Sequence, residues 1–152
     1  VAARSAPVKV HVLGIDPGAN TGLAAFKGGA LCFLETIEPL ALERTLRHYA
    51  PGRVIFEDSR LATHTWNARK KPDFGAALAT ARSLGQVDAW CSLITAICAD
   101  LGIPAHGISP AAKGAKLNAP NFAIVTGWSE RSNQHERDAA MVAWTFRRSG
   151  IR

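Results

Sequence analysis

Residues 8–18 read Val-Lys-Val-His-Val-Leu-Gly-Ile-Asp-Pro-Gly. β-Branched and aliphatic side chains run up to Ile15, and Asp16-Pro17-Gly18 is a turn signal, so the stretch predicts a buried strand over 8–15 with a carboxylate at its exit. Downstream, 21–26 and 30–37 read as two more strands, with Lys27-Gly28-Gly29 as the hairpin between them. The first part of the chain is thereby expected to be a three-stranded antiparallel meander. Residues 40–49 have helical periodicity and end at Pro51-Gly52. Arg53-Val54-Ile55-Phe56-Glu57 is then a fourth short strand that again ends in an acid.

Residues 59–72 are polar, basic and without period, which predicts a functional loop. A long helix is expected next, because Ala77, Ala81, Leu84, Val87, Cys91, Ile94, Cys98 and Leu101 recur at three-and-four spacing and Gly102 stands where such a helix stops. Phe74, Leu78, Trp90, Leu93 and Ile97 form a second apolar stripe. One side of the helix is expected on the sheet and the other against a second element or a second subunit. Residues 103–108 read as the fifth strand, 122–128 as a short helix and 134–148 as a final one. Asn133 and Glu136 have capping-box spacing at the start of that last helix, and Arg147 and Arg148 suit the negative end of its dipole.

At 152 residues, 47% hydrophobic and 20% charged, the chain is expected to form one globular domain over 1–152, with residues 1–7 as a flexible extension. This composition excludes disorder, collagen and coiled coil. No apolar run approaches the roughly 20 residues of a membrane span, and residues 1–9 carry no signal-peptide core. Cys32, Cys91 and Cys98 have no metal-ligand spacing and are read as buried thiols of a reducing cytoplasm. The net charge of +6 is unevenly spread: residues 1–59 hold six Lys/Arg and six Asp/Glu, residues 60–152 twelve and six. A positive excess confined to the later part suits a polyanionic partner, because phosphate contacts release counterions.

Three acids border apolar runs: Asp16 and Glu57 end strands, and Asp138 precedes Ala-Ala-Met-Val-Ala. An ionised group beside a core is costly unless it is paired or bound to a metal. Neighbouring first and fourth strands would release Asp16 and Glu57 at one edge of the sheet, where the last helix can bring Asp138 over them. His135, one turn earlier, shares the helix face of Asp138. Hard oxygens gathered in this way suit Mg²⁺ or Mn²⁺, and two such ions could activate water and stabilise the leaving oxygen of a phosphodiester. Taken singly, each residue also has an ordinary structural role: Asp16 as a turn former, Glu57 as a strand end, His135 as a surface residue.

Gly14-Ile15-Asp16-Pro17-Gly18, then Thr21-Gly22, Phe56-Glu57 and His135-x-x-Asp138-Ala139-Ala140, in this order and at this spacing, resemble the RuvC-type Holliday junction resolvases of the RNase H-like superfamily. Leu84-Gly85-Gln86 in the long helix resembles a further signature of that family. The resemblance implies an α/β, RNase H-like fold: a five-stranded mixed sheet with strands 1–3 antiparallel, flanked by helices. It also implies a homodimer with two Mg²⁺ ions per active site, Mn²⁺ able to substitute, that cuts opposed strands of a four-way DNA junction. Asp16, Glu57 and Asp138 match the metal-binding carboxylates. His135 matches a position held by a carboxylate or a histidine, as a second-metal ligand or a proton carrier. Lys113 and Lys116 resemble the basic residues after the fifth strand and are assigned to phosphate near the scissile bond. Arg60, Arg69, Lys70 and Lys71 are assigned to junction arms. Asp58-Ser59-Arg60 replaces the aromatic expected after the strand-four glutamate, which leaves Trp66 or Phe74 as the stacking residue. The compact stretch between Lys116 and His135, with Thr126-Gly127-Trp128, is similar to the short phage-type members, so a bacterial cytoplasm and a phage-encoded source both fit.

Three other readings stand beside this one. A different RNase H-like nuclease would act on branched DNA or RNA–DNA hybrids with the same acids. An ATP-binding protein of the actin-like sugar-kinase class would use Asp16-Pro-Gly-x-x-Thr21 as a phosphate loop, but it needs two such subdomains and the chain has no second loop of this kind. A non-catalytic junction-binding protein would gain nothing from clustered acids.

Overall fold

In the computed structural model, which describes residues 8–62 and 73–150, the sheet is built outward from β1 (Val12–Asp16). On one side β2 (Thr21–Lys27) and β3 (Ala30–Ile37) complete the antiparallel meander. On the other, β4 (Arg53–Glu57) pairs parallel with β1 and β5 (Ala105–Ile108) parallel with β4. The order is β3-β2-β1-β4-β5, the mixed five-stranded sheet with strands 1–3 antiparallel. Gly28 and Gly29 both take positive φ, 60° and 82°, the backbone that a two-residue hairpin needs to follow the twist of its strands.

Alternation along the strands splits the core into two layers. Leu13, Ile15, Val54 and Phe56 face α1 (Leu42–Tyr49) and α2 (Phe74–Asp100), which contribute Leu46 and Cys91, Ile94 and Cys98. Val12, Phe26 and Ile55 face the opposite way, onto Phe122 of α3 (Ala119–Thr126) and Ala139, Ala140, Val142 and Ala143 of α4 (Gln134–Ala143). Among the described residues no helix is long and apolar enough to cross a membrane.

Several boundaries differ from the sequence expectation. Residues 8–10 are not part of the first strand; the amides of Val8 and Val10 donate to the carbonyls of His48 and Tyr49 at 2.9 and 3.1 Å, tying the chain to the end of α1. The fifth strand is shortened by Pro104, and α3 begins three residues early behind the Asn118 cap. The last helix leaves α geometry after Ala143 and tightens to a 3₁₀ turn over Trp144–Phe146, with Arg147 stacked on Trp144 and donating to its carbonyl at 2.7 Å. Cys32 is exposed rather than buried, because β3 is an edge strand with an open outer face.

The largest difference concerns α2. Its apolar stripe is buried only at Cys91, Ile94 and Cys98. A helix of 27 residues is about 40 Å long at 1.5 Å per residue, whereas strands of four to eight residues span at most about 27 Å. The N-terminal half of α2 therefore overhangs the sheet, and Phe74 at its tip is 83% exposed.

Candidate active site

The site lies where β1 and β4 end. Ile15 is opposite Phe56 in the parallel register, so the next residues, Asp16 and Glu57, leave the sheet side by side. Helix α4 crosses directly above them because two positions beneath it carry no side chain. A Cβ on Gly14 would collide with the carbonyl of Ala139, and one on Gly22 with the carbonyl of His135. These glycines let the helix backbone rest on the sheet backbone, which brings His135 and Asp138 down to the strand ends. The capping box between Asn133 and Glu136 fixes where the helix starts, and Asn133 Nδ2 also donates to Thr36 Oγ1 at 2.7 Å, anchoring that start to β3.

His135 Nδ1 lies 3.3 Å from Asp16 Oδ2. Asp138 is buried, and its Oδ1 accepts a hydrogen bond from Gln134 Nε2 at 2.8 Å. Its other oxygen, Oδ2, faces two ammonium groups, Lys113 Nζ and Lys116 Nζ, each at 3.7 Å. Lys113 reaches inward from the 3₁₀ turn after β5 and forms an ion pair with Glu57 Oε2. The two lysines differ in surroundings: the Lys113 side chain is 10% exposed, that of Lys116 70%. Burial works against the Lys113 ammonium, but Glu57, Asp138 and Asp16 together outweigh it and hold the group above the ordinary lysine range. Asp16 moves the other way for a carboxylate. Burial pushes it up to about 6, Lys113 pulls it down, and the neighbouring Glu57 and Asp138 add to the rise.

The donor set suits a hard divalent cation. It consists of carboxylate oxygens with an imidazole beside them, and Glu57 Oε2 is shut from solvent with the Lys113 ammonium as its partner. Among the described residues no three such side chains already close on one point. Mg²⁺ sites built from one or two carboxylates plus substrate phosphate need no such cage, and the ammonium of Lys113 stands where cationic charge is called for.

The remaining expected site residues are placed as follows. Arg60 is exposed, but its guanidinium is engaged by the protein's own groups. Its Nε and Nη2 donate to the two oxygens of buried Asp58 at 2.8 Å each, and further bonds reach Ser92 and Thr95 on α2. This pairing also holds Asp58 below the usual carboxylate range. Arg60, expected at a junction arm, also links the end of β4 to α2. Phe74 is open to solvent at the tip of α2. Trp66, Arg69, Lys70 and Lys71 lie outside the described residues, as does the extension 1–7. Sequence reasoning missed Gln134 and Arg137, although Gln134 stands four residues before Asp138, a spacing that puts both on one helix face.

Among solved structures, the chain is similar to T. thermophilus RuvC in complex with Holliday junction substrate, with a TM-score of 0.59 over 88% of this chain and 90% of that one. The chain has the RuvC, RNase H-like fold. Sequence identity over the RuvC match is 17%, so the likeness is one of fold. No family model and no curated protein matches the chain. On the RuvC frame, Asp16, Glu57, Asp138 and His135 gather at one edge of the sheet, with Lys113 and Lys116 facing them.

Proposed function

We propose that the protein is a metal-dependent, structure-selective DNA endonuclease that resolves four-way junctions by paired phosphodiester hydrolysis. The observation that carries this reading is the meeting of Asp16, Glu57 and Asp138 with two lysines at one edge of a fold whose solved counterpart is in complex with a Holliday junction. Clustered acids alone would repel a phosphodiester; acids beside ammonium groups suit one brought in with cations.

Asp16, Glu57 and Asp138 would hold the ions, with His135 as a further ligand. Two Mg²⁺, or Mn²⁺ in their place, would supply the Lewis acid that lowers the pKa of water and neutralises charge on the phosphate. The chain's own groups do the rest. His135 has Nδ1 turned to Asp16, which leaves Nε2 to take or give a proton. Lys116, largely in solvent, reaches a phosphate of the bound strand. Lys113 balances the carboxylates from within. Arg69, Lys70 and Lys71 hold junction arms, and Phe74 or Trp66 stacks on opened bases.

A homodimer completes the reading. Trp90, Leu93 and Ile97 line a groove with Pro39 and Leu40, and Leu40 is 95% exposed. A second subunit on the outer face of α2 would cover this surface and supply the second active site that paired cuts require. Leu93→Glu is expected to yield monomers that nick. The compact stretch before His135 favours a short, phage-type resolvase acting in a bacterial cytoplasm. The test is competition: a four-way junction, a fork and an RNA–DNA hybrid are offered at equal concentration with Mg²⁺. Preferential paired cutting of the junction supports the proposal, and preference for the hybrid selects the other RNase H-like nuclease reading.

A further inference from the structure

Among the described residues Arg137 has no carboxylate partner, which is unusual for a half-buried guanidinium beside an acidic site. Its hydrogen bonds there all go to neutral acceptors. Nε donates to the carbonyl of Leu117 at 2.9 Å, Nη1 to the carbonyl and hydroxyl of Ser132 at 2.8 and 3.1 Å, and Nη2 to Gln134 Oε1 at 3.1 Å. Three pieces of chain meet on this one side chain: the segment that carries Lys113 and Lys116, the approach to α4, and α4 itself.

The bond to Gln134 settles which way that amide points. With Oε1 accepting from Arg137, Nε2 is turned to Asp138 and donates to Oδ1 at 2.8 Å. One oxygen of Asp138 is thereby occupied, and Oδ2 is left toward Lys113 and Lys116. The opposite amide orientation would set two acceptors against each other at Asp138 and two donors at Arg137.

We infer that Arg137 is a positioning residue of this site, acting through Gln134 on the Asp138 carboxylate and through the Leu117 carbonyl on the lysine-bearing segment. It registers the acid and the lysines to each other, so that one oxygen of Asp138 is presented to an incoming cation while the lysines stay beside it. Partners of this outer kind orient ligands and are commonly worth 10–100-fold in metal affinity. The inference rests on the nuclease reading of the same site.

The test uses the full chain, Mn²⁺ as the probe, and electron paramagnetic resonance of free Mn²⁺ as the primary readout. Junction affinity without divalent ions and the single-turnover cleavage rate are measured beside it. Gln134→Leu removes only the amide bridge and is expected to weaken Mn²⁺ binding about tenfold, with the cleavage rate falling in step and junction affinity unchanged. Arg137→Met is expected to do the same and also to weaken junction binding, because the lysine segment loses its anchor. The double variant is expected to match Arg137→Met, the non-additivity of residues acting in one chain. Should Arg137→Met fail to fold, Gln134→Leu decides, since the Gln134 side chain holds no backbone group. A folded Gln134→Leu protein with wild-type Mn²⁺ affinity overturns the inference and leaves the nuclease reading standing. A wild-type protein that binds no Mn²⁺ and cuts no junction overturns that reading, and the inference with it.

Discussion

The ammonium of Lys113 is paired with Glu57 Oε2 and lies 3.7 Å from Asp138 Oδ2, a resident cation among acids at the end of the sheet. Carboxylates gathered partly out of water repel one another and lose hydration, so this edge would be unstable without a positive charge inside it. Lys113 supplies that charge in the absence of divalent ions.

Removing it exposes the conflict. Lys113→Met is expected to lower stability by about 3 kcal/mol in EDTA, because breaking a buried pair leaves an uncompensated charge. Mn²⁺ should restore more of the melting temperature in the variant than in the wild type. Thermal denaturation with and without the ion is the measurement, and equal melting temperatures in EDTA would contradict the role given to Lys113.

Close approach of α4 makes Gly14 and Gly22 intolerant of any side chain. Gly22→Ala is expected to cost roughly 2–4 kcal/mol, since the clash is with helix backbone rather than with a side chain that can turn away. The same variant lifts His135 from Asp16, so cleavage should fall by more than the loss of folded protein accounts for. Urea denaturation and activity per folded molecule separate the two effects.

Asp16 gives the protein a pH signature. Its pKa is pushed up to about 6 from 3.8, chiefly by burial, so the folded state binds this proton more tightly than the unfolded chain does. Its contribution is therefore neutral below pH 4 and becomes destabilising as pH rises from about 4 to 6, by up to about 3 kcal/mol in EDTA. Asp16→Asn should be more stable than the wild type at pH 7 and equal to it near pH 3.5. Denaturation curves of both proteins across that range check the sign.

Arg60 is expected to behave as a structural residue. Arg60→Ala removes the partner of Asp58 and should cost about 1–2 kcal/mol, since solvent reaches the exposed guanidinium and screens the pair, with the loss shrinking when Asp58→Asn is added. The slope of log K against log salt for junction binding should stay unchanged in the folded variant, whereas replacing Arg69, Lys70 and Lys71 together should reduce it by up to roughly 3.

Much of the fold was legible because its signals are local. The run into Ile15, the Gly28-Gly29 hairpin and the Asn133–Glu136 capping box each declare an element within a few residues. Strand ends announced Asp16 and Glu57 for the same reason, and helical spacing joined His135 to Asp138. The pairing of Arg60 with Asp58 was not legible because a basic residue in a polar stretch looks free until Asp58 is known to be buried beside it. The burial of Asp58 depends on β5, where a Cβ on Gly107 would meet its carboxylate, nearly fifty residues away. Arg137 was passed over because two of its partners, Leu117 and Ser132, lie in loops without a sequence pattern, whereas Gln134 carried a readable signal in its spacing to Asp138. The overhang of α2 follows from comparing its length with that of the strands, which no periodicity within the helix contains.

The most direct test of the central claim is cleavage of a labelled four-way junction by the wild type and by Asp138→Asn, each in Mg²⁺ and in EDTA. The account predicts paired cuts by the wild type in Mg²⁺ alone, a rate lower by orders of magnitude in Asp138→Asn, and junction binding that persists in the variant. Equal cleavage by the two proteins, or undiminished cleavage in EDTA, would contradict it.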